Sequence, residues 1–119
     1  MSDDKNLSVE VKIARIVCLD ARQSKDYLFA EVIDTILSSA RYWVKPLALA
    51  RSNPDSFELE FLYDLRDTSQ LILPIDLFRD ALDTEVIPLT SELYHPTQGS
   101  TRSTNAQTAL HQFIADLYR

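Results

Sequence analysis

The sequence predicts a mainly β domain: a small antiparallel barrel or roll of about five strands, with an α-helix at its C-terminal end. Three observations lead there. Phe57, Leu59, Phe61 and Tyr63 alternate with Glu58, Glu60 and Leu62, the two-residue period of a strand with one face buried. Residues 41–49 alternate in the same way around the only tryptophan, Trp43. Further on, Ala106, Leu110, Phe113, Ile114 and Leu117 recur at the spacing of one helical face.

Taken in order, residues 1–6 form a polar tail. From residue 7 to 19, Val9, Val11 and Ile13 alternate with Glu10 and Lys12, after which the phase slips and predicts a bulge near residues 13–15. The valines and isoleucines favour a strand, although Val9, Ile13, Ile16 and Val17 also share a helical face. Residues 20–26 read as a loop. Residues 27–37 read as a second strand, with a helix capped by Asp26 as the rival. The short link Ser38-Ser39-Ala40 then makes a hairpin with the Trp43 strand. On that strand the alternation places Trp43 in the core and leaves Tyr42 partly exposed.

Ser52-Asn53-Pro54-Asp55-Ser56 is a turn signal, and the Phe57 strand follows it. Residues 64–69 turn the chain and residues 70–73 return it. Pro74 opens a helical turn over residues 74–82 with Leu77 and Phe78 inside. Residues 84–89 are expected to be a last strand at a sheet edge, because Pro88 lacks a donor. The domain thus spans residues 7–90. Residues 91–102 read as a loop holding the only glycine, Gly99, and a helix over residues 103–119 starts at a Ser103 or Thr104 cap.

With 119 residues there is room for one domain, and an apolar fraction of 45% is that of a folded protein. No apolar run approaches the roughly 20 residues that span a bilayer, and the start of the chain lacks the pattern of a signal peptide. Membrane insertion is not expected, and the chain reads as cytoplasmic. The net charge of −6 lies entirely in residues 57–119, which carry ten acids and four bases. Such a balance disfavours nucleic acid, whose binding displaces phosphate counterions with a basic field.

This order of strands, with a one-turn helix before the last, resembles an SH3-like barrel across roughly residues 8–90. The single glycine departs from that pattern, since such barrels use several in their turns. The run Tyr42-Trp43-Val44-Lys45-Pro46-Leu47, taken with residues 77–89, is similar to small cyanobacterial proteins, a family that implies no established activity.

No catalytic set is legible. Cys18 sits among Ile16, Val17 and Leu19 and reads as a small buried hydrophobe. Neither His95 nor His111 comes near Cys18 in the expected fold, and Glu58 with Glu60 match a solvated strand face. Asp64, Asp67, Asp76, Asp80, Asp83 and Glu85 lack calcium-loop spacing and read as an acidic flank able to meet a basic partner. No metal ligand set and no cofactor is expected.

Arg41, Tyr42, Trp43 and Lys45 combine the residue types that dominate protein interfaces. The expectation is therefore a non-catalytic module that binds another protein. Its contacts would be Arg41, Tyr42, Trp43 and Lys45, the acids Asp64, Asp67, Asp80 and Asp83, and the helix stripe Leu110, Phe113 and Leu117. A homodimer through a strand edge or that stripe is a further expectation. The competing reading is a ligand binder or enzyme with a pocket between barrel and helix, converging on Glu31, Asp34 or His111.

Overall fold

The computed structural model describes residues 15–21, 26–52, 58–94 and 103–118. Six strands, β1 (Ile16–Ala21), β2 (Asp26–Ile36), β3 (Arg41–Ser52), β4 (Leu59–Asp64), β5 (Leu71–Pro74) and β6 (Phe78–Asp80), precede two helices, α1 (Asp83–Tyr94) and α2 (Ser103–Leu117). All strand pairs are antiparallel, in the order β4-β3-β2-β1-β6, with β5 also against β3. The protein is mainly β with a C-terminal helix, as the periodicities require.

β3 is the centre of this arrangement. One edge runs along β2, while the other pairs with β5 through residues 41–44 and with β4 through residues 48–52. Pro46 falls between those two ladders and beside a register shift on the β2 side, so its missing N–H sits where pairing is already interrupted. The shift also changes which residues point inward. Tyr42 and Val44 pack with Val17 and Ala30, whereas Leu49 joins Leu19 and Leu28 on the same inner face. The bulge at Leu47 therefore switches the inward residues of β3 from even to odd.

Two helices cover the two faces. Ala106, Leu110 and Phe113 of α2 close the inner face against Leu19, Leu28 and Leu73. Leu89 and Leu93 of α1 lie on the outer face over Cys18, Phe29, Ala48 and Ala50. From β5 a one-turn 3-10 helix, Ile75–Leu77, carries the chain to β6 on the far side of the sheet, and Ile75 and Phe78 pack on the Tyr42–Val44 cluster. In the β2–β3 hairpin Ala40 takes φ 54, a left-handed position where glycine would be less strained.

Several expectations change. Residues 84–89 are not an edge strand, and residues 91–94 are not loop: both belong to α1, with Pro88 inside the helix. The Glu85 carboxylate accepts a hydrogen bond from the Leu82 amide (2.8 Å), and the Val86 amide donates to the Leu82 carbonyl (2.9 Å). This is the reciprocal half of a capping box, strong enough with the Leu89–Leu93 packing to carry a proline that lacks one helical donor. The helical turn expected over residues 74–82 is a single 3-10 turn followed by β6. Both parities of β1 from Ile16 onward are buried because the strand is covered on both faces, so no phase slip is needed there.

The Trp43 strand is inverted relative to expectation. Tyr42 is buried, and Trp43 is 37% exposed on the outer face. Placing Trp43 inside would also turn Arg41 and Lys45 inward, two charges costly to desolvate. Tyr42 instead packs its ring on Phe78 (5.7 Å between centroids) and lies beneath the Arg15 guanidinium (5.3 Å). The expected tail, the turn at residues 53–56, Gly99, His95, the expected bulge at residues 13–14 and the Ser103–Thr104 cap side chains lie outside the described residues. Among the described residues no helix is long and apolar enough to cross a membrane.

Candidate contact surface

The outer face of the sheet has two halves. One is covered by α1. On the other, strand register places Trp43 beside Asp34 of β2 and Ile72 of β5, Lys45 beside Glu31, and Arg41 between Ile36 and Pro74. A second register shift gives β2 an extra residue, so Ile33 and Asp34 together oppose Trp43. The result is an open apolar row of Ile33 (43% exposed), Trp43 and Ile72 (49%), with Arg41 and Lys45 on either side along β3. The Trp43 indole Nε1 donates to Gln70 Oε1 at 2.9 Å, which fixes the ring on the sheet.

The other expected contact residues are scattered. Asp64 ends β4 and Asp80 ends β6, strands at opposite ends of the sheet order. Each is already paired, Asp64 with Arg66 (2.6 Å) and Asp80 with Arg15 (3.0 Å). Burial is the largest influence on Asp64 and pushes its carboxyl up, but hydrogen bonds from the Arg66 side chain and amide outweigh it and hold the group below the usual range. Asp67 is exposed in the β4–β5 turn and Asp83 opens α1. Asp64 and Asp67 thus lie at the β4 end of the sheet order, and Asp80 and Asp83 at the β6 end. Leu110 and Phe113 are buried in the inner core and Leu117 packs beside them, so the stripe is occupied by the chain's own sheet.

Cys18 is fully buried, and burial pushes its thiol up to about 12, so no thiolate forms near neutrality. His111 is exposed on α2, with a ring nitrogen 2.9 Å from the Gln107 side-chain amide, which also accepts from the Ser69 amide at 3.0 Å. Among the described residues no group of three His, Cys, Asp or Glu side chains is gathered to hold a metal. A cleft of about 200 Å³ opens between α1 and the sheet, lined by Phe29, Phe61, Pro88 and Leu89 among others. A wider one of about 500 Å³ lies by Cys18, Asp20, Asp76, Arg79 and Asp116. Neither is lined by Glu31, Asp34 or His111.

Of the residues on this open face, Arg41, Trp43 and Lys45 were among the expected contacts, whereas Ile33 and Ile72 were not. The alternation Leu71-Ile72-Leu73 could have revealed Ile72, because Leu71 and Leu73 share a face that excludes it. Ile33 was hidden by the bulge. Compared with protein-family models, with curated proteins and with solved structures, the chain matches none.

Proposed function

We propose that this protein is a non-catalytic protein-interaction module, an accessory or assembly component of a larger complex, that docks through the open half of its outer sheet face. The observation that carries this is Trp43: an indole held on a rigid sheet by Gln70, left more than a third exposed between two exposed isoleucines and flanked by two bases. Such a pre-positioned aromatic loses little freedom on binding, the property of an interface anchor. The scaffold is read as an SH3-like roll; the 3-10 turn that takes the chain from β5 on one side to β6 on the other supports this. A cytoplasmic setting belongs to the same reading.

A pocket between sheet and helix is the second reading, supported by the cleft under α1. Its volume of about 200 Å³ falls below the roughly 300–1,000 Å³ of most ligand sites, whereas the cleft of about 500 Å³ beside Asp116 and Leu117 of α2 falls within that range and is the better support for this reading. Nucleic acid ranks lower, since Arg41 and Lys45 bring only two bases to the face of a chain with a net charge of −6.

The test is affinity purification of the tagged full chain from its own cells, comparing wild type with Trp43→Ala and Arg41→Glu. A partner recovered with wild type and lost with both variants is expected. Equal recovery with all three proteins overturns the reading. Deleting α2 would be a poor control, because Leu110 and Phe113 are part of the core.

A further inference from the structure

We propose that β4 accepts an extended segment of a partner protein as an added strand, a segment in which apolar and basic residues alternate. This site lies at the far edge of the sheet and does not depend on the Trp43 face, so it goes beyond the reading above.

β4 closes one end of the strand order and, among the described residues, pairs with β3 alone. Every second residue of such a strand turns its N–H and C=O away from its neighbour, and no described backbone group bonds to that side. The opposite end of the sheet, β6, has three residues, whereas β4 has six, the length of an ordinary strand. An added strand can therefore pair along its whole length.

The two faces of this edge differ in chemistry. Leu59 and Phe61 lie on the outer face at the cleft of about 200 Å³, which Phe29, Leu89 and Glu92 also line. A dry apolar cavity of about 150 Å³ holds benzene, so this cleft admits one leucine-sized side chain. Because β4 is the last strand, the cleft reaches the edge of the sheet. Glu58 and Glu60, of the opposite parity, are exposed. Arg51, level with Glu60 on β3, is held by Asp26, and Arg66, beyond the end of β4, is held by Asp64.

A strand laid along this edge turns every second side chain toward the cleft and those between toward Glu58 and Glu60. The matching chemistry is apolar in the first set and Lys or Arg in the second. Two acids alone would only discourage a second copy from pairing there, since like charges would sit side by side. The cleft beside them is what points to an occupant.

Fluorescence anisotropy of a labelled peptide, Lys-Val-Lys-Leu-Lys-Val-Lys, titrated with the full chain tests this, with amide hydrogen exchange as the second readout. Saturable binding is expected, with added protection at the outward amides of residues 59–64. Glu60→Lys should weaken binding about tenfold or more, and should favour a counterpart peptide with glutamate in place of lysine. A merely destabilised fold would not show that reversal. Methylating the peptide's backbone nitrogens on the pairing side should abolish binding, and replacing its leucine by glycine should weaken it. No binding, equal binding of the methylated peptide, or protection at residues 41–45 instead of 59–64 overturns the inference. Trp43→Ala should bind the peptide as wild type does. If the peptide fails to bind but partner capture still depends on Trp43, the edge site falls while the reading of the Trp43 face stands.

Discussion

The two halves of the outer sheet face use the same central strands and end differently. On the covered half Phe29 is flanked by Cys18, Ala48 and Ala50, small side chains that let α1 approach and bury Leu89 and Leu93. The open half presents Ile33, Trp43 and Ile72 with Arg41 and Lys45, side chains too bulky and too charged for a helix to lie over. Polar ties add to the difference. Arg79 donates to both Glu85 oxygens (2.9 and 2.8 Å) near the start of α1, and Arg66 reaches the Leu93 carbonyl (3.2 Å) near its end. One half is thus part of the folding unit, and the other is a finished surface.

The largest expected effect is on the covered half. Leu89 is 4% exposed, so Leu89→Ala should cost about 3 kcal/mol in urea denaturation followed by circular dichroism. If Trp43→Ala costs as much, the contrast between the halves is broken.

Next comes the tie at the start of α1. Glu85→Gln should lower stability by about 1 kcal/mol by weakening the cap and the Arg79 pair. Hydrogen bonding from Arg79 holds the Glu85 carboxyl below its ordinary 4.5, despite the opposing effect of burial. A depressed carboxylate stabilises the fold at pH values above its unfolded-state pKa, and this is lost as pH falls through the folded-state value. The wild-type thermal midpoint should therefore drop below about pH 4, and Glu85→Gln should drop less steeply.

Trp43→Ala is expected to cost only about 1 kcal/mol or less, the loss of a half-exposed ring and one hydrogen bond. Its consequence should be on association instead.

The smallest expected effect is read by thiol labelling of the folded protein. Cys18 should resist thiol reagents in the native protein, with a thiol at about 12 beneath α1, and Leu89→Ala should speed its modification by opening that helix more often. Prompt labelling of wild type would show that the covered half is not sealed.

Much of the fold was legible. The strands around Phe61 and Trp43 and the helix at Leu110 carry periods that only one element type satisfies. α1 was not, because Pro88 reads as a break in any local rule. Its helix depends on the Glu85 contact to the Leu82 amide and on the small residues of strands distant in sequence. The contact surface was half legible. Arg41, Trp43 and Lys45 announce themselves by residue type, whereas Ile33 and Ile72 join them only through pairing across β2, β3 and β5.

By itself the sequence determined the elements: where the period is two, where it is 3.6, and that one β3 face carries Tyr42 with Val44 and the other carries Trp43. Which of these faces is inside was decided only by the tertiary structure. Alternation is symmetric between a strand's two sides, and the symmetry is broken by what lies across the sheet. Phe78, Val17 and Ala30 accept Tyr42 and Val44 on the inner side, and the two charges beside Trp43 keep their water on the outer one.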